Sequence, residues 1–151
     1  MKITILAVGK ARSGPEAVLA AEYIKRLPWR VDIVEIEEKK PLSGPEKMAR
    51  EGIKILNALP EKALVISLDK DGKVYSSPDL AKAFQTWQLD GHSHIVFIIG
   101  GSDGLSKTVL ESSSRILSFG AMTWPHQLAR VMLLEQLYRC HAILRGHPYH
   151  K

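Results

Sequence analysis

One cysteine, Cys140, is all the thiol chemistry that 151 residues offer. A lone thiol forms no intrachain disulfide framework and no multi-cysteine zinc site. With no export signal beside it, that thiol leads us to expect a reducing, cytoplasmic compartment. Long apolar runs are missing too. The first run, Ile3 to Val8, is too short for a signal-peptide core and no small-residue cleavage site follows it. No run approaches the ~18 residues of a membrane span, so no membrane partner is expected. There is no Walker A loop, no GxGxxG and no HExxH. His126, His141, His147 and His150 match no zinc-site spacing, so no metal is expected either. Cys140 and His141 are neighbours on one helix and point to different faces, which excludes a nucleophile–base pair.

What remains is an ordinary α/β composition. Hydrophobic residues make up 45% and charged residues 25%, too apolar and too balanced for a disordered chain. The length fits one domain spanning residues 1–151, large enough to bury roughly 70% of its unfolded surface without a staple. Lysine and arginine outnumber acids by 21 to 16, a net +5 with a pI near 9.4. That excess leans toward a polyanionic partner such as nucleic acid.

Strand and helix signals alternate along the chain. Ile3–Val8, Val31–Ile36, Ala63–Leu68 and Ile95–Ile99 read as strands. The last is an unbroken β-branched and aromatic run, the pattern of a central parallel strand covered on both faces. Gly14-Pro15-Glu16 opens a helix that Pro28 stops. Ser43 and Glu46 have capping-box spacing for a helix through about Leu59. Asp69-Lys70-Asp71-Gly72 reads as a turn ending the third strand. Ser77-Pro78-Asp79 starts a helix that Gly91 ends. Ser106 caps a short helix, Ile116–Thr123 is a weak strand or loop broken by Gly120, and a last helix runs from about Pro125 to Leu144. The expected architecture is a mostly parallel sheet flanked by helices.

Three loops follow strands at the edge where open α/β sheets bind ligands. They are Leu68-Asp69, the Gly100-Gly101-Ser102-Asp103-Gly104 run, and the segment from Phe119 to His126. Glycine lets backbone approach a ligand, and the third loop suits a flat apolar ring with a polar edge. The tail Arg145-Gly146-His147-Pro148-Tyr149-His150-Lys151 gathers basic, aromatic and imidazole groups, which neutralise phosphate and stack on unpaired bases. Arg130, Glu135, Tyr138 and Arg139 lie on the last helix, with Glu135 and Arg139 spaced to pair.

Together these residues carry a resemblance. Phe97-Ile98-Ile99-Gly100-Gly101-Ser102-Asp103-Gly104-Leu105 is similar to the second motif of SPOUT methyltransferases. Met122-Thr123-Trp124-Pro125-His126, with Arg130-Val131 and Glu135-Gln136-Leu137-Tyr138-Arg139, resembles their third. The opening Ile5-Leu6-Ala7-Val8-Gly9-Lys10 and the ending His147-Pro148-Tyr149-His150-Lys151 resemble one family within that group, the large-subunit ribosomal RNA methyltransferase H family. The resemblance implies a carboxyl-terminal trefoil knot, S-adenosylmethionine as cofactor, and methylation of N3 of a pseudouridine in 23S rRNA within the large subunit or whole ribosome. It implies cofactor contacts at Leu68, Gly100, Phe119, Gly120, Ala121, Met122, Thr123 and Trp124. It also implies a homodimer in which the tail of one subunit completes the site of the other.

A sulfonium is already a good leaving group, so methyl transfer asks the protein for in-line positioning and disposal of the N3 proton. Candidates for handling that proton are Glu135, Tyr138, His126, His147 and His150. Glu135, Tyr138, Arg139 and His150 are expected to be catalytic. His126, Arg130, His147, Tyr149 and His150 are expected to touch substrate. Two other classes fit the bare composition: an RNA-binding protein without catalysis, and a small-molecule transferase on a flavodoxin-like sheet. Deleting residues 147–151 is expected to abolish methylation while leaving cofactor binding intact. Methylation assays beside calorimetry check this, and unchanged turnover would refute the assignment of the tail to substrate.

Overall fold

Strand and helix alternate throughout a computed structural model that describes residues 1–151. The elements are β1 (Lys2–Val8), α1 (Pro15–Arg26), β2 (Arg30–Ile36), α2 (Gly44–Ala58), β3 (Leu64–Val74), α3 (Ser77–Leu89), β4 (His94–Ile99), α4 (Lys107–Ser112), β5 (Arg115–Ser118) and α5 (His126–Leu144). The strands form one sheet in the order β2-β1-β4-β3-β5, and every pair is parallel.

The period-two geometry of a strand divides each one between two cores. Ile3, Ile5, Ile95, Phe97, Leu64 and Ile66 face α1, α3 and α5, within a cluster of 21 buried residues. Leu6, Val8, Val96, Ile98 and Val65 face α2 and α4, within a cluster of nine. The larger cluster includes Leu133, Leu134, Leu137 and Cys140, so α5 is the helix most deeply built into the core. Burial pushes the Cys140 thiol up to about 12, which keeps it a neutral core residue. No helix is long and apolar enough to cross a membrane.

Two local expectations change, at Ser43 and at Asp69–Gly72, while the third helix begins at Ser77 as the sequence reads. Ser43 makes no side-chain cap, and α2 starts on Gly44 and Pro45 with Glu46 in its first turn. The third helix is capped by Ser76, whose hydroxyl accepts from the Asp79 amide (3.2 Å) and donates to the Asp79 carboxylate (2.7 Å). Asp69–Gly72 does not end the third strand. The Asp69 carboxylate accepts the Asp71 amide (3.0 Å) inside a bulge, and β3 resumes pairing with β5 at Lys73 and Val74. Turn-type residues therefore mark a bulge here, because β5 offers the strand a partner on the far side. The Ser118 hydroxyl closes it by donating to the Lys70 carbonyl (3.0 Å).

That bulge delivers Val74 and Tyr75 to the end of β5, where the site forms. Gly72 is pressed against β5, and a Cβ there would lie 2.8 Å from the Ile116 backbone. Gly72→Ala is expected to lower stability by about 1–3 kcal/mol, the usual cost of overpacking. Denaturant unfolding measures this, and an unchanged midpoint would mean that the bulge yields freely.

Candidate functional site

A cavity of about 420 Å³ opens between the end of β5 and the inner faces of α1, α3 and α5. Leu80, Leu117, Phe119 and Val131 make its apolar wall, while Ser77, Glu135 and Gln136 supply polar groups. This volume and mixed lining suit a small organic ligand or cofactor.

Glu135 is the hub of the polar side. Its Oε1 accepts from Arg139 Nε (2.9 Å), from Arg139 Nη2 and from the Tyr149 hydroxyl (3.1 Å). Its Oε2 accepts the Gln136 amide (2.7 Å). The helix places Arg139 one turn beyond Glu135, and the pair is mostly buried, with 25% and 18% of the side chains exposed. The hydrogen bond to Glu135 raises the already high pKa of Arg139 further, fixing its charge. Arg139 Nη1 lies 3.2 Å from His150 Nδ1. A guanidinium only donates, so Nδ1 accepts and the neutral imidazole carries its proton on Nε2.

Gly146 ends α5, and the His147 amide returns to the Ala142 carbonyl (2.9 Å). That reversal lays the tail back along the helix. The Tyr149 ring packs edge-on against Tyr138 at 4.7 Å, with the Arg139 guanidinium 4.9 Å from its centroid. Tyr138 in turn lies 6.2 Å from Tyr23 of α1, and Arg26 lies near both rings. Tyr75 lines the cavity beneath Lys73, whose ammonium is 4.5 Å from the ring. All four tyrosines of the chain thus gather at this site, each beside a cation.

Of the residues singled out in the sequence, Phe119, Gly120, Glu135, Tyr138, Arg139, Tyr149 and His150 come together here. Leu68 packs against the core and pairs with Ile99 and Leu117 without lining the cavity. Gly100 does not line it either. A Cβ there would come within 2.9 Å of Gly104, so its own loop, before any ligand, requires glycine. Ala121, Met122, Thr123 and Trp124 form an exposed segment, with Met122 74% exposed. His126 packs against Gly9 at the start of α5. His147 is exposed and accepts the Tyr149 amide (3.2 Å). Arg130 is turned inward: it is buried, ion-paired with Glu35 (3.2 Å), and donates to the Gly9 carbonyl (2.6 Å). It thereby ties the loop after β1 to α5. No three His, Cys, Asp or Glu side chains gather as a metal site needs.

Sequence reasoning missed Tyr23, Tyr75, Ser77 and Gln136. Tyr23 carried a usable signal, since a phenol on the inner face of a helix otherwise built from alanine and isoleucine needs a polar partner. It has one, in Tyr149 (3.3 Å between hydroxyls).

The Tyr149 phenol is raised above its ordinary value of 10.0 by burial, with its hydrogen bonds to Tyr23 and Glu135 adding to the effect. A folded-state value above the unfolded one means that docking favours the protonated phenol. The tail contact is therefore fully present below the ordinary phenol pKa and is lost as pH rises through the folded value. Ultraviolet absorbance titration is expected to show a late-ionising phenol, and Tyr149→Phe is expected to remove that late step. A titration without that late step would contradict the docked tail.

Comparison with known proteins identifies the family. The family model described as "Predicted SPOUT methyltransferase" matches residues 1–150. The chain is 47% identical over 151 residues to a protein of Paramagnetospirillum magneticum named "Ribosomal RNA large subunit methyltransferase H", covering 100% of this chain and 99% of that one. A protein of the same name from Rhodospirillum centenum is 42% identical with the same coverage. Among solved structures, a "Probable Methyltransferase" from Bordetella pertussis Tohama I shares the fold at a TM-score of 0.62 and 16% identity, over 91% of this chain and 95% of that one. With its parallel sheet, its cavity at the β5 end and these relatives, the chain belongs to the ribosomal RNA large subunit methyltransferase H family of SPOUT methyltransferases.

Proposed function

We propose that this chain methylates N3 of a pseudouridine in 23S ribosomal RNA, in the assembled large subunit or ribosome, using S-adenosylmethionine. The observation that carries the reading is the joining of a ligand-sized cavity to a charged, tyrosine-rich cluster in a chain of this family. The cofactor supplies an activated methyl group on a sulfonium. Its apolar and ring portions match the wall of Leu117, Phe119 and Val131. The exposed segment of residues 121–124 and the loop at Gly100 are further proposed cofactor contacts, through backbone groups.

Glu135 holds Arg139 and Tyr149 in place. Three donors already occupy its Oε1, so that oxygen has little capacity left to take the N3 proton. Arg139 offers fixed positive charge to the anion that develops on the pyrimidine. His150, with Nδ1 taken by Arg139 and its proton on Nε2, has no lone pair left for the N3 proton. It offers an Nε2–H donor to the developing anion while that proton passes to solvent. Tyr138 and Tyr149 present faces for stacking a base. Arg130 contributes by holding the loop after β1.

The protein works as a cytoplasmic, single-domain homodimer in this reading. Val18 and Leu19 on α1, Leu128 on α5, and Met122 and Trp124 before it are exposed apolar side chains that a second copy would cover. The tail of one subunit then contributes to the site of the other.

Mass-spectrometric mapping of rRNA from ribosomes treated with the protein and S-adenosylmethionine tests the reading. One added methyl group on a single pseudouridine-containing 23S fragment is expected. Saturable RNA binding with unchanged rRNA and no heat of S-adenosylmethionine binding would leave an RNA-binding protein without catalysis.

A further inference from the structure

We infer that Ser77 and Gln136 are positioning residues that set the orientation of Glu135, and through it Arg139 and Tyr149. The inference rests on the methyl-transfer reading of the same site. The Ser77 hydroxyl lies 2.7 Å from Gln136 Oε1, and Gln136 Nε2 lies 2.7 Å from Glu135 Oε2. Neither bond has a choice of direction. A carboxylate held by Arg139 is an acceptor only, so the face of Gln136 turned to it must be the NH₂ group. The amide oxygen then faces Ser77, and the hydroxyl must donate. The charge on Glu135 thus polarises a two-bond chain back to the first residue of α3.

The chain has a geometric task. Oε1 of Glu135 is fixed by Arg139 and Tyr149, and both of these can move, one on a long side chain and the other on the tail. Without a hold on Oε2 the carboxylate rotates about its own axis, and Arg139 and Tyr149 follow it. Gln136 supplies that hold, and Ser77 prevents the Gln136 amide from turning. Ser77 also stands where the third helix begins, directly after the strand that brings Tyr75 to the cavity. The third helix, the last helix and the tail are joined in series across the cavity mouth, and Tyr149 extends the series to Tyr23 on α1.

A series arrangement has a signature that independent contacts lack. Breaking either link frees the same carboxylate, so a second break adds nothing. The test compares Ser77→Ala, Ser77→Thr, Gln136→Leu and the Ser77→Ala/Gln136→Leu double variant in the full chain. Three quantities are read: methyl transfer from radiolabelled S-adenosylmethionine to ribosomes, S-adenosylmethionine affinity by calorimetry, and the late-titrating tyrosine. Gln136→Leu is expected to lower kcat by about tenfold, as a displacement well under 1 Å would, with the KM for ribosomes and cofactor affinity each within about twofold. Ser77→Ala lowers kcat less, Ser77→Thr restores it, and the double variant matches Gln136→Leu alone. In Gln136→Leu the late tyrosine moves toward the ordinary phenol range. Losses that multiply in the double variant, a loss in cofactor affinity in place of turnover, or a threonine variant no better than alanine would overturn the inference. If the wild-type chain transfers no methyl group, the functional reading fails by itself. The tyrosine titration then decides the positioning separately, and an unmoved late tyrosine in Gln136→Leu would sink it.

Discussion

Parallel pairing along the whole sheet is the constraint from which the other features follow. Parallel neighbours cannot be joined by a tight turn, so every strand here must be followed by a crossover. All five strand ends therefore fall on one edge, and the helices divide between the two faces. The central strand β4 is apolar on both faces because both are covered. The site arises at one end of that edge, where β5 is the outermost strand. There β3 runs on past its last pair with β4, Leu68 with Ile99, and pairs again with β5 at Lys73 and Val74 after the bulge.

Charge is spent on this fold in two distinct ways. Arg130, itself buried, ties α5 to Glu35 at the exposed end of β2 and to the Gly9 carbonyl in the loop after β1. Glu135 and Arg139 make a mostly buried pair that collects further donors, and it stands at the cavity. Both arginines lie on α5, nine positions apart by number, and they look alike in sequence. Their surroundings separate them: one faces the end of β2, the other the tail.

The sequence made the strands legible because β-branched and aromatic runs leave few alternatives to a doubly covered strand. It placed α5, its stop at Gly146 and the Glu135–Arg139 pair for equally local reasons. It did not reveal the strand order, because parallel partners are chosen by contacts remote along the chain. The bulge at Asp69–Gly72 was written in the same residues as a turn, and only a partner strand distinguishes the two. Ser77 read as a helix start, and its bond to Gln136 depends on how α3 and α5 pack. Arg130 read as a surface charge offered to RNA, because its partner Glu35 is far away in sequence. The family resemblance supplied the segment at residues 119–124, which local patterning alone left as weak strand or loop.

The gathering of Tyr23, Tyr75, Tyr138 and Tyr149 has a practical side. Trp29 and Trp87 belong to the core, and Trp124 lies in the exposed segment before α5. Phenol signals from this chain accordingly come from one small region, while indole signals come from elsewhere. The protein carries its own local spectroscopic probes: the tyrosines report on the cavity and the docked tail, Trp29 and Trp87 report on the core, and Trp124 reports on the segment before α5.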